Sequence, residues 1–127
     1  MTVSKGGYAP PESVAELLDR YAAGERRFPD VDFNEVDLSE ITLAGAIFDG
    51  SWFFFCNFDD ANLRGVSFRL CNVKCTNFRR ADLTGASFQL AAVEATDFAD
   101  ALLEGVTFDG ATCYGYTIRD GDGFPNG

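Results

Sequence analysis

Four cysteines, no histidine and twenty carboxylate side chains limit the chemistry open to this chain of 127 residues. A nucleophilic thiol needs a base beside it, and the usual one is an imidazole. Cys56, Cys71, Cys75 and Cys113 have none to call on, and no two of them form the C-x-x-C pair of a zinc or redox site. Paired carboxylates occur as Asp59-Asp60 and as Asp97 with Asp100. Two carboxyls divide acid and base roles only where burial separates their pKa values, and that requires a cleft. Asp120 and Asp122, each followed by glycine, sketch the start of a calcium loop without its remaining ligands. The densest unusual cluster is Trp52-Phe53-Phe54-Phe55, whose chemistry is contact rather than reaction. No enzyme activity, metal or cofactor is expected.

The element that positions these residues is a repeat. Every fifth residue from Phe28 to Ile118 is apolar, and the residue two places before it is mostly small or β-branched, as at Ala46, Ser51, Cys56, Ala61 and Val66. Neither the helical period of 3.6 nor the strand period of 2 yields a strict five. Spacing of twenty sorts the same positions into columns. Phe28, Phe48, Phe68, Phe88 and Phe108 form one; Leu43, Leu63, Leu83 and Leu103 form another. Gly45, Gly65, Gly85 and Gly105 follow the leucine column by two, where a corner at positive φ suits glycine. Four five-residue sides per coil account for these columns. The expected fold is an all-β solenoid of about 4.75 coils, roughly 23 Å tall at the 4.8 Å strand spacing.

The segments Ala61-Asn62-Leu63-Arg64-Gly65, Ala81-Asp82-Leu83-Thr84-Gly85 and Ala46-Ile47-Phe48-Asp49-Gly50 resemble the pentapeptide-repeat family, whose pattern is Ala, Asp or Asn, Leu or Phe, then two variable residues. The resemblance extends over roughly residues 26 to 120. It implies a right-handed quadrilateral β-helix, a family mostly bacterial and abundant in cyanobacteria, and members without assigned activity.

A solenoid needs its open ends covered. Residues 1–11 read as a flexible arm and 12–24 as a capping helix, with Ser13 as N-cap and Val14, Leu17, Leu18 and Tyr21 at helical spacing. Residues 25–120 form the β-helix and 121–127 a tail. At the C-terminal end, either Phe124 folds back over the last coil or a second copy covers it. The chain is expected as a monomer or a weak homodimer through that coil.

Outside the core, Trp52, Phe54 and Phe55 occupy positions that elsewhere hold polar residues, with Tyr114 on the same side. Together they form a candidate protein-binding patch, unless the N-terminal arm folds across them. Charge is uneven. Asp30, Asp32, Glu35, Asp37, Glu40, Asp49, Asp59 and Asp60 occur with no basic residue between positions 28 and 60. Arg64, Arg69, Lys74, Arg79 and Arg80 then form a basic belt with no acid between 61 and 81, and residues 82 to 109 are acidic again. The net charge of -10 argues against direct nucleic-acid binding. No apolar run reaches membrane-spanning length, and a reducing cytoplasm is the expected setting. A non-enzymatic protein-binding or scaffold module is the leading reading. The alternative, implied by the family resemblance, is inhibition of DNA gyrase by mimicry of duplex DNA, as in quinolone resistance. The basic belt opposes it, because a mimic needs an unbroken negative path.

Overall fold

A computed structural model describes residues 7–119. Its backbone winds as a parallel β-coil with twenty residues per turn. Parallel bridges join Arg27 to Ile47, Thr42 to Asn62, Ser67 to Ser87 and Ala92 to Thr112, and others fill the intervals. Three consecutive residues pair in the parallel ladder at one place, giving the strands β1 (Asp32–Asn34) and β2 (Trp52–Phe54). Each side is otherwise too short for more than one bridge.

Most sides follow one recipe. The central apolar residue donates its amide to the next coil, as Phe48 N–H does to the Ser67 carbonyl at 2.9 Å. Two residues later the backbone takes positive φ, and the following amide closes the corner, as Ala46 N–H does onto the Leu43 carbonyl at 3.0 Å. The residue before the centre explains the Asp/Asn preference. Its side chain accepts the amide two places on: Asn62 from Arg64, Asn72 from Lys74 and Asp97 from Ala99. This is an Asx turn, and it satisfies a corner amide that the ladder leaves unpaired.

The core is a stack of rings. Phe28, Phe48, Phe68, Phe88 and Phe108 pile at centroid spacings of 5.9, 5.8, 5.0 and 5.3 Å. Phe58, Phe78 and Phe98 form a second pile, and the two meet edge-on, as Phe68 does Phe78 at 5.5 Å. Such stacked and edge-to-face pairs add about 0.5–1.5 kcal/mol each beyond area burial. The small inward position serves hydrogen bonding as well as size. Thr96 Oγ1 donates to the Val73 carbonyl, and Cys71 Sγ to that of Phe48. Ser51 Oγ lies 2.9 Å from the Val31 amide, as its acceptor.

At the N-terminal end lies α1 (Val14–Ala22). Ser13 Oγ accepts the Glu16 amide, and the helix ends in a Schellman turn: Glu25 N–H bonds the Arg20 carbonyl, Gly24 N–H that of Tyr21, and Gly24 has φ +102°. Leu17 is fully buried, Val14, Leu18 and Tyr21 pack against the core, and the Tyr21 hydroxyl donates to the Ala44 carbonyl at 2.7 Å.

The C-terminal end departs from the expected coil. The parallel ladder stops at Thr112, and the chain reverses through Tyr114 and Gly115, both at positive φ. That is the two-residue hairpin geometry of a mirror-image turn. It pairs β3 (Thr112–Cys113) antiparallel with β4 (Tyr116–Thr117). Ile118 is buried, but through its bond to Ala111 rather than as the next rung of a fifth coil, so the regular coil is shorter than 4.75 turns. On this last coil Leu103, expected inside, is 36% exposed, and Phe98 and Phe108 are only partly buried. Asp120, Asp122 and Phe124 lie outside the described residues.

Candidate protein-contact surface

The aromatic cluster sits on β2 and the corner after it. Strand alternation turns Phe53 inward and its neighbours Trp52 and Phe54 outward. Phe55 follows at the corner with φ +57°, a conformation costing about 1 kcal/mol for a residue with a Cβ. Phe54 and Phe55 pack edge to face at 4.7 Å, and Trp52 tilts against Phe54 at 6.4 Å. Trp52 remains 46% exposed and Phe55 53%, while Phe54 is half-buried between them. The described part of the N-terminal arm leaves them open. Tyr8 instead donates to the Pro29 carbonyl, and Arg20 donates to that of Ala9. Burial raises the Tyr8 phenol to about 12.

Tyr114 does not join the cluster. It occupies the same outward row as Phe54 but three coils on, beyond Lys74 and Glu94, at the hairpin tip and 76% exposed. Two further exposed apolar residues, which sequence reasoning passed over, stand on the coil surface. Leu70 and Leu90 are both exposed, and both stand at positive φ on the corner column that contains Gly50. The signal was available: each stands two places after a phenylalanine of the core column, where an outward corner is due.

The indole of Trp52 is held in place. Its Nε1–H donates to Asn34 Oδ1 at 3.2 Å, and the Asn34 amide donates to Asp32 Oδ1 at 3.2 Å. Beside it an open groove of about 490 Å³ is lined by Asp30, Val31, Asp32, Asn34, Gly50 and Trp52. Asp30 reaches over its floor: a Cβ on Gly50 would stand 3.3 Å from Asp30 Oδ1.

Three arginines elsewhere on the coil pair with carboxylates of a neighbouring turn. Arg79 grips the buried Asp59 at 2.7 Å, Arg80 pairs with Asp60 at 2.9 Å and Arg64 with Asp82 at 3.1 Å. Arg80 holds the Asp60 carboxyl below its ordinary range, and the Thr84 hydroxyl does the same for Asp82, helped by Arg64. Among the described residues, no group of three or more Asp, Glu and Cys side chains could hold a metal ion, and no helix is long and apolar enough to cross a membrane. The thiols are free. Cys56, Cys71 and Cys113 are buried, and Cys75 is partly exposed at a corner. Burial pushes the Cys56 thiol up to about 11 and that of Cys71 to about 12.

A coil of stacked five-residue sides, with its core filled by Phe and Leu columns and its recognition potential on the outside, defines a class of repeat protein. The pentapeptide-repeat model matches residues 32–69 and 61–98, and the chain belongs to that family. Nothing among curated protein sequences matches it. Among solved structures, it is similar to alr5209, a pentapeptide repeat protein from Nostoc PCC 7120. The identity is 22% and the TM-score 0.51, over 91% of this chain and 93% of that one. A pentapeptide repeat protein of the Arabidopsis thaliana thylakoid lumen is 20% identical, with TM-score 0.42, over 73% and 70%. QnrB1, a plasmid-mediated fluoroquinolone resistance protein, is 22% identical with TM-score 0.45, over 69% of this chain and 52% of that one.

Proposed function

We propose that the chain is a non-enzymatic protein-binding module, a right-handed quadrilateral β-helix capped by α1, whose contact surface is the cluster of Trp52, Phe54 and Phe55. The observation that carries this reading is the position of the cluster. Three aromatics pack on one another at outward places that hold Asp32, Asn34 and Glu35 one coil earlier. Exposed aromatics of this kind cost solubility, and they concentrate binding energy when a partner desolvates them. The coil supplies rigidity, so little ordering entropy is lost on association. The partner is a protein, and action in the cytoplasm is part of the same reading. The molecule is a monomer, or a weak homodimer through its C-terminal coil.

The test is affinity capture from the native cell with the wild-type chain and with Trp52→Ser/Phe54→Ser/Phe55→Ser, both checked by melting curves. Specific partners should be retained by the first and lost by the second. Identical captured sets from two equally folded proteins would refute the assignment.

A further inference from the structure

We propose that the groove beside Trp52 receives an arginine side chain from an extended basic segment of the partner protein. The inference rests on the protein-binding reading above and supplies the chemistry of the partner. The groove has an indole wall, two carboxylates and a floor without a side chain, contributed by Trp52, Asp30 with Asp32, and Gly50. A flat guanidinium uses all three at once. Its face stacks on the indole while its N–H fork donates to a carboxylate. Lysine presents a rounder, more strongly hydrated charge and would use them less well.

Charge complementarity selects this occupant. Among the described residues, neither Asp30 nor Asp32 has an ion-pair partner, whereas Asp59, Asp60 and Asp82 each have an arginine from a neighbouring coil. No basic residue lies between positions 28 and 60, and Arg26 and Arg27, which begin the first turn, form no ion pair with Asp30 or Asp32. The site is also prepared for a ligand. The Asp32–Asn34–Trp52 hydrogen-bond chain orients the indole, and Asp30 already extends over Gly50. Trp52, which lines the groove, packs on Phe54, and Phe54 on the exposed Phe55, so apolar residues beside the arginine would find surface to cover.

The probe is a fluorescein-labelled flexible peptide of alternating Gly-Ser-Arg units, measured by anisotropy against the full chain. Peptides with Lys or Glu in place of Arg serve as comparisons. Trp52 is the single tryptophan, so its emission reports independently on occupancy of the groove. The arginine peptide should bind saturably, more tightly than the lysine peptide, and should perturb Trp52 emission. Asp30→Asn/Asp32→Asn should weaken binding by about fivefold, as loss of two exposed charge contacts implies. Asp100→Asn/Glu104→Gln, which removes the same charge from another part of the coil, should leave it unchanged. Equal weakening by both pairs would reduce the effect to net charge and overturn the proposal. So would absent binding, or equal affinity for the lysine peptide. If the proposal falls while the aromatic triple variant still loses its captured partners, the protein-binding reading stands with a different partner chemistry.

Discussion

Each five-residue side contains one residue whose local cost is set by its corner. Glu40 stands there at φ +63° with its side chain exposed, so it bears the left-handed penalty without compensating burial. Glu40→Gly should raise stability by about 0.5–1 kcal/mol, the strain relieved less the chain entropy glycine adds to the unfolded state. Urea unfolding would read this as a higher midpoint at unchanged slope, and a lower midpoint would show that Glu40 has a favourable role. The thiols divide by the same geometry. Cys75, at an outward corner, should react with Ellman's reagent in the native protein, and Cys56 and Cys71 only after unfolding. Because burial raises both inward thiols, the folded chain holds their protons more tightly than the unfolded one does. That stability is complete below the ordinary thiol pKa of 9.0 and is lost as pH climbs towards about 11 and 12. Melting temperature should therefore fall on the alkaline side, and less steeply in Cys56→Ala/Cys71→Ala.

At the scale of elements, α1 and the final hairpin treat the two ends differently. The helix buries Leu17 and anchors Tyr21 on the Ala44 carbonyl, and Arg20 ties it to Glu16, Glu25 and the arm. Removing residues 1–24 should expose Phe28 and the first ladder edge and yield an aggregation-prone, less stable coil. Light scattering and a thermal melt would check it, and an unchanged, monomeric deletion variant would mean that the first coil needs no cover. The hairpin works locally. Its mirror-image turn buries Cys113 and Ile118 but leaves Leu103 partly open.

For the whole molecule, stability comes from columns that share contacts through every turn. Phe68 touches Phe48, Phe53, Phe58, Phe78 and Phe88. Phe68→Asp should abolish cooperative folding, since an unpaired carboxylate there costs several kcal/mol beyond the lost ring packing. Circular dichroism melts would test this, and a native-like transition would disprove the stacking. The long-range field points away from DNA mimicry. Arg64, Arg79 and Arg80 are neutralised by neighbouring carboxylates, but Arg69 and Lys74 form no ion pair among the described residues and interrupt two sides of the middle coil. Low-micromolar protein should leave DNA gyrase supercoiling unaffected. Strong inhibition that disappears in Asp49→Asn/Asp109→Asn would reverse this expectation.

What the residues determined by themselves was the winding. A period of five states how often the chain must turn, and a period of twenty states which side chains meet. These are properties of spacing along the chain, so the phenylalanine and leucine columns and the outward place of Trp52 could be read before any coordinates. Other features depended on groups far apart in sequence. The groove exists because Asp30 comes to lie over Gly50, and the buried Asp59 is tolerated because Arg79 reaches it from the next coil. Leu103 is exposed on the last coil, where the ladder stops. Tyr114-Gly115 can form either another corner or a reversal, and the local residues allow both. Pairing of Ala111 with Ile118 favours the reversal, and that contact exists only once the chain has folded back.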